Sequence, residues 1–273
     1  MTPPTPWNPN FPNTSPLFVP IKTHFGANIQ QWQNWPSTEI LNTLLTHIHP
    51  PIQTQSGAPL QFIAAPNTPP QAFVDHYEPR IYLTGQVPTR TDGWHDFFGA
   101  LCWMLFPQTK AALNALHFNA TSTQITNANK QKQRTPIENA ATLFDESGAV
   151  VLSSDPELLT MIKQMQWKEL FLQQRELALN NLRVVIFGHG LYEKALRPYI
   201  GLTTQTVLLT VKEPELAECH GVKLDRLIAD WWNPDRSPRD LVPLPILGVP
   251  GVTTENENEA YYDNVNYFRT KRR

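Results

Sequence analysis

Apolar positions along this chain change their rhythm near Pro136. Before it, helical spacings are separated by proline-rich stretches. Ser37 is placed to cap a helix through Ile48, with Ile40, Leu41, Leu44, Leu45 and Ile48 on one face, and Pro50-Pro51 stops it. Residues 60–65 predict a short strand, residues 66–70 a loop, and residues 77–83, interrupted by Pro79, an extended stretch. Two strongly helical runs follow, 93–106 and 107–118, joined at Pro107, which suits a first helical turn because its missing N–H costs nothing there. Residues 119–135 are polar and predict a mobile surface loop. After Pro136, short helices alternate with β-branched runs. Helices are expected over 137–144, from the Asp155 cap with Pro156 at its first position, over 167–180 and over 191–196; strands are expected over 149–152, 183–187 and 206–211. Beyond Trp231-Trp232 the chain reads as proline-rich and extended.

This order predicts an α/β protein: a single domain with a small mixed, partly parallel sheet, a helical hairpin and Pro-rich extended arms, with α+β as the alternative. Residues 1–36 read as an irregular N-terminal arm, anchored on the domain by Trp7, Phe11, Phe18, Trp32 and Trp35. Residues 37–268 form the globular domain and 269–273 a basic, solvated tail.

Composition narrows the class. At 41% hydrophobic and 17% charged residues, with a formal charge of −2, the 273-residue chain fits a globular protein with no global pull on nucleic acid or acidic membranes. No stretch reaches the roughly 20 apolar residues of a membrane span, and the first residues lack the pattern of a signal peptide, so a cytoplasmic protein is expected. Cys102 and Cys219 offer no disulfide framework and no zinc-finger spacing.

Four constellations carry candidate chemistry. If the helices joined at Pro107 run antiparallel, His95 and Asp96 at the start of the first approach His117 at the end of the second. Lys110, Asn114 and His117, spaced i, i+4, i+7, form one stripe. Imidazoles serve as bases or metal ligands near neutral pH; the alternative is helix capping by His95 and Asp96, a solvated Lys110 and a His117 set favourably against the helix dipole. Gly188-His189-Gly190 follows a strand and opens a helix, where ligands gather in open α/β sheets; a tight turn is the alternative. Arg134, Glu138, Asn139, Thr142, Asp145 and Glu146 supply carboxylates for a metal or a base, or form a solvated acidic helix end. Arg80 and Arg90, near Tyr77, Glu78 and Asp92, could grip a phosphate or carboxylate, or form salt bridges. No phosphate-loop, dinucleotide-binding, zinc-protease, hydrolase-elbow or EF-hand motif is present.

Several of these pieces together resemble a known family: Tyr77-Glu78 with Arg80-Ile81, Val87-Pro88-Thr89-Arg90, Trp94-His95-Asp96-Phe97-Phe98, Phe106-Pro107 with Lys110, Asn114 and His117, Leu143-Phe144-Asp145-Glu146, Phe187-Gly188-His189, and Pro243-Leu244-Pro245 through Gly251. The similarity, from about Pro59 to Phe268, is to the bacterial family of domain of unknown function thirty twenty-five. Gly99 stands where that resemblance leads to Asn, and Gly190 where it leads to Ala. The resemblance implies a soluble bacterial domain and supplies no activity, cofactor or substrate.

The reading favoured by the residues is an enzyme of unassigned reaction, a hydrolase using His95, Asp96, His117 and His189, with a divalent metal on His95, His117 and Asp145 as the candidate cofactor. A second is a non-catalytic binder of a small phosphorylated or carboxylated ligand, held by Arg80, Arg90, Lys110 and Asn114. A third is a structural or partner-binding protein, with its Trp- and Pro-rich arms as the contact. No nucleic acid or membrane partner is expected.

Overall fold

A computed structural model of the chain describes residues 5–125 and 134–271. In chain order the elements are α1 (Val19–Ile29), α2 (Thr38–Thr46), β1 (Gln61–Ala64), α3 (Tyr77–Thr84), β2 (Gln86–Thr89), α4 (Trp94–Leu105), α5 (Pro107–Ile125), α6 (Pro136–Ser147), β3 (Gly148–Ser153), α7 (Pro156–Lys163), α8 (Arg175–Asn181), β4 (Leu182–Ile186), α9 (His189–Ala195), β5 (Thr203–Thr210), α10 (Glu213–Glu218), α11 (Gly221–Trp231) and β6 (Val242–Pro245). Small mixed sheets and many helices make this an α/β fold. The chain forms two compact units that interleave in sequence. The first draws on Met1–Asn10, Ile21–Thr142 and Gly221–Pro238, the second on Phe11–Pro20, Leu143–His220 and Arg239–Arg273. No single cut separates them as successive domains.

In the first unit, β1 and β2 pair in parallel, with Gln61 opposite Gln86. Asn42 of α2 fastens β1 by donating to the Phe62 carbonyl and accepting from the Phe62 N–H. The sheet is covered by helices: of the face expected on α2, Leu41 and Leu44 are buried, while Ile40 is exposed and the helix ends at Thr46 rather than Ile48, and α4 buries its apolar side chains from Trp94 to Met104. Asp225 of α11 caps the start of α5, its carboxylate accepting the N–H groups of Gln108 and Thr109 at 2.8 and 2.9 Å and the Thr109 hydroxyl at 2.7 Å. Burial pushes the Asp225 carboxyl up despite these donors. Trp7 stacks on Trp94 at 5.2 Å and meets Trp35 at 5.0 Å, so the arm's tryptophans pack on the start of α4.

Three expectations change here. The arm is not irregular throughout: α1 is a helix, since Pro20 falls in its first turn and Ile21, Phe25 and Ile29 recur at helical spacing on its buried face. Residues 77–83 are not extended but helical. Pro79 lies in the first turn of α3, where no intrahelical N–H bond is lost, and Gly85, at φ 71°, closes the helix by donating to the Ile81 carbonyl. The expected loop from 119 begins as seven further residues of α5, whose Ser122 hydroxyl bonds back to the Phe118 carbonyl; residues 126–133 of that loop lie outside the described residues.

The second unit is built on a four-stranded sheet in the order β4-β3-β5-β6. The β3–β5 pair is parallel; β3–β4 and β5–β6 are antiparallel. Every residue of β3 is buried, as its unbroken apolar run requires of a central strand. Asp155 caps α7 by accepting the Glu157 N–H, and Leu158, Leu159 and Ile162 face inward. The helix expected over 167–180 is divided: Glu169–Gln173 is a π turn, and α8 restarts at Arg175, whose guanidinium reaches the carbonyl and side chain of Asn256. Beyond Trp231-Trp232 the chain is not simply extended. It contributes edge strand β6, whose prolines an edge position tolerates, and a C-terminal strap. In that strap the Tyr267 hydroxyl accepts from the Leu247 N–H and donates to the Leu202 carbonyl.

Candidate functional site

The pairing of β3 with β4 creates the candidate site of the second unit. Ala149 lies opposite Ile186 in an antiparallel register. Because the pair is antiparallel, the start of β3 lies beside the end of β4, which brings the end of α6, with Glu146, next to the start of α9, with His189. The approach is close: the N–H groups of Phe187 and Gly188 both reach the Gly148 carbonyl, at 3.0 and 2.8 Å, and Phe144 stacks on Phe187 at 4.5 Å. Gly188 leaves room for this contact, because a Cβ there would strike the backbone N–H of Gly148 and the Glu146 carbonyl.

His189 is the centre of the arrangement. Its Nδ1 lies 3.6 Å from Asp145 Oδ2 and its Nε2 lies 3.6 Å from Glu146 Oε1. The ring is 11% exposed, Asp145 24% and Glu146 44%, so the site opens to solvent on the Glu146 side. Both distances exceed a hydrogen bond, and each ring nitrogen faces its own carboxylate. A carboxylate at Nδ1 favours one ring orientation and balances charge when Nε2 takes a proton. In the sequence, Asp145 and Glu146 are legible as carboxylates for a metal or a base or as a solvated acidic helix end, but not as the partners of His189. The signal that joins them to His189 is the antiparallel register of two non-consecutive strands.

The first unit uses its candidate residues differently. Asp96, in the first turn of α4, accepts three bonds from Arg90: the backbone N–H at 2.8 Å, Nε at 2.9 Å and Nη2 at 2.8 Å. Burial pushes the Asp96 carboxyl up, but the Arg90 side chain and backbone outweigh it and hold it below the usual carboxylate range, with His95 adding to the effect. Arg80 pairs with Asp75 at 2.9 Å. Asn114 is buried and donates to the Glu78 carbonyl and carboxylate at 3.0 and 2.7 Å. Lys110 is buried, its ammonium 5.4 Å from the centre of the Trp103 ring. The stripe of Lys110, Asn114 and His117 is therefore largely interior rather than solvated.

His117 is half-buried and its charge is felt by Glu138. Glu138 closes a capping box on α6, accepting the Thr135 N–H at 2.7 Å while its own N–H reaches the Thr135 hydroxyl. Thr135 and Thr121 donate to the same carboxylate; burial opposes them, yet its pKa stays below the usual value. Glu138 thus serves the helix start. A shallow surface hollow lined by Trp35, Leu41, Arg90 and Phe97 among others encloses no cavity of the size a small-molecule site needs.

No helix among the described residues is long and apolar enough to cross a membrane. Both cysteines are buried and unpaired by disulfide. A family model described as Protein of unknown function (DUF3025) matches residues 60–272 of the chain. No curated protein matches it, and no solved structure does.

Proposed function

We propose that this chain, which belongs to the DUF3025 family, is a hydrolase in which His189 is the general base. The observation that carries this reading is the imidazole set between Asp145 on one nitrogen and Glu146 on the other, at the end of a sheet strand. In the reaction, Nε2 removes a proton from a water as its oxygen bonds to an electrophilic carbonyl or phosphoryl centre. Asp145 balances the imidazolium through Nδ1, and His189 returns the proton to the leaving group as its bond breaks. Glu146 faces the working nitrogen, where it orients the water or helps to hold a cation. A divalent metal held by Nε2 and Oε1, whose 3.6 Å separation is close to the roughly 3.4 Å between two ligands of one tetrahedral ion about 2.1 Å away, would occupy the imidazole lone pair, and the metal would then supply the activated water in place of His189 acting as the base. A divalent metal is accordingly the cofactor to seek.

His95 and His117 are the first unit's candidates in the same reading; Asp96 is held by Arg90 at the entry of α4. A bacterial, cytoplasmic setting belongs to the proposal as well, supported by the family resemblance and two buried thiols outside any disulfide. The anion-binder reading draws less support, since Arg80, Arg90 and Asn114 are already engaged by Asp75, Asp96 and Glu78. The test is a screen of ester, amide and phosphoester substrates with the wild type and His189→Ala, His95→Ala and His117→Ala, alongside elemental analysis of the purified protein. The expected result is turnover that His189→Ala lowers by at least about 100-fold, within the usual span of general base catalysis. Turnover indifferent to His189 overturns the reading.

A further inference from the structure

We infer that Gly190 is a positioning residue for Glu146: the missing side chain is the space that the Glu146 carboxylate occupies beside His189. This rests on the reading of His189 as the functional centre, but its test does not depend on any activity being found. Gly190 lies inside α9 and is not among the glycines at positive φ, so nothing in its backbone calls for glycine. A helical position of that kind favours alanine. The space around it favours glycine. A Cβ built on Gly190 lies 2.5 Å from Glu146 Oε2 and 2.9 Å from the Glu146 carbonyl oxygen. The first is the end of a flexible side chain, which can swing away; the second is backbone, closer than a Cβ normally comes, so the chain there must shift as well. The Glu146 carboxylate that borders Gly190 through Oε2 faces His189 Nε2 through Oε1. Filling the space at Gly190 therefore ejects the group that addresses the imidazole.

The test is Gly190→Ala, compared with Glu146→Gln and the double variant, read by the ¹⁵N and ¹H signals of the His189 ring at one pH and by a crystal structure of Gly190→Ala. The expected result is that Gly190→Ala moves the Nε2 signal in the same direction as Glu146→Gln, that the double variant moves it no further, and that the crystal structure shows the carboxylate turned away from the ring. Ring signals unchanged in a folded Gly190→Ala protein, or shifts that add in the double variant, overturn the inference. Where Gly190→Ala alone does not fold, Gly190→Ala/Glu146→Ala decides. Recovery of folding assigns the conflict to the Glu146 side chain; failure assigns it to the backbone and makes Gly190 a packing glycine only. Turnover unchanged in His189→Ala would count against His189 as the base while leaving the ring signals as the measure of Gly190.

Discussion

At the start of α4 a histidine and a carboxylate are adjacent in the chain, yet Asp96 turns back to Arg90 and closes the helix entry with three short bonds. At the start of α9 the histidine stands between glycines, and its two carboxylates arrive from the end of another helix at 3.6 Å. The first arrangement is short-range, saturated with hydrogen bonds and suited to stability. The second is long-range, loosely spaced and open to solvent at Glu146. A His-Asp dipeptide is thus a weaker pointer to chemistry than a histidine whose partners the sheet must bring to it, because its carboxylate can be taken up by a residue a few positions away, as Arg90 takes up Asp96.

The largest effect expected from breaking this contrast is at Gly188. Its Cβ would meet the Gly148 backbone and the Glu146 carbonyl, which no rotamer change relieves. Gly188→Ala should cost about 3 kcal/mol, the upper range for overpacking, and lower the melting temperature by roughly 6–12 °C. A thermal melt within about 2 °C of wild type, at a precision of about half a kcal/mol, would show that the contact between the end of α6 and the start of α9 is loose. The loosely spaced His189 site would then have no rigid frame.

Much of that frame is readable in the chain. The β-branched runs of β3 and β4, the Asp155-Pro156 entry of α7 and the amphipathic spacing of α2 each depend on residues within one element. What escapes depends on position within a turn or on partners far along the chain. Pro79 and Pro20 look like helix breakers but occupy first turns, where proline costs nothing. Glu138 sits among acids fit for a metal; its Thr-x-x-Glu spacing from Thr135 is a capping signal instead. Gly188-His189-Gly190 is visible as a ligand-type turn. That Glu146 faces it follows only once β3 and β4 are known to be antiparallel.

The α4 clamp should answer to pH in a way that marks it as structural. Asp96 titrates lower in the folded chain than in the unfolded one, so its stabilisation is complete above the unfolded value near 4 and is lost as pH falls through the folded value. Asp225 has the opposite sign. Its carboxyl is raised, so its contribution is greatest below the unfolded value and is lost as pH rises through the folded one. Asp96→Asn should cost about 1.5 kcal/mol at pH 7, from the lost charge-assisted bonds, and flatten the acid side of the stability profile. Urea midpoints between pH 3 and 7 measure this. An unchanged acid limb would mean that the Arg90–Asp96 pair is as loosely coupled as the His189 pairs.

The smallest effect is expected at His189 itself. Its contacts with Asp145 and Glu146 are longer than hydrogen bonds, and both carboxylates keep access to water, which screens what attraction remains. His189→Asn keeps a polar side chain in the same place and should change the urea midpoint by the equivalent of less than about 1 kcal/mol, well under the change at Asp96. Three residues and a close glycine contact would then be arranged around a group that adds little to stability. Structure kept without a stabilising return is what a site maintained for chemistry shows. A loss at His189→Asn equal to that at Asp96→Asn would erase the contrast and make His189 the keystone of the α6–α9 junction rather than its working group.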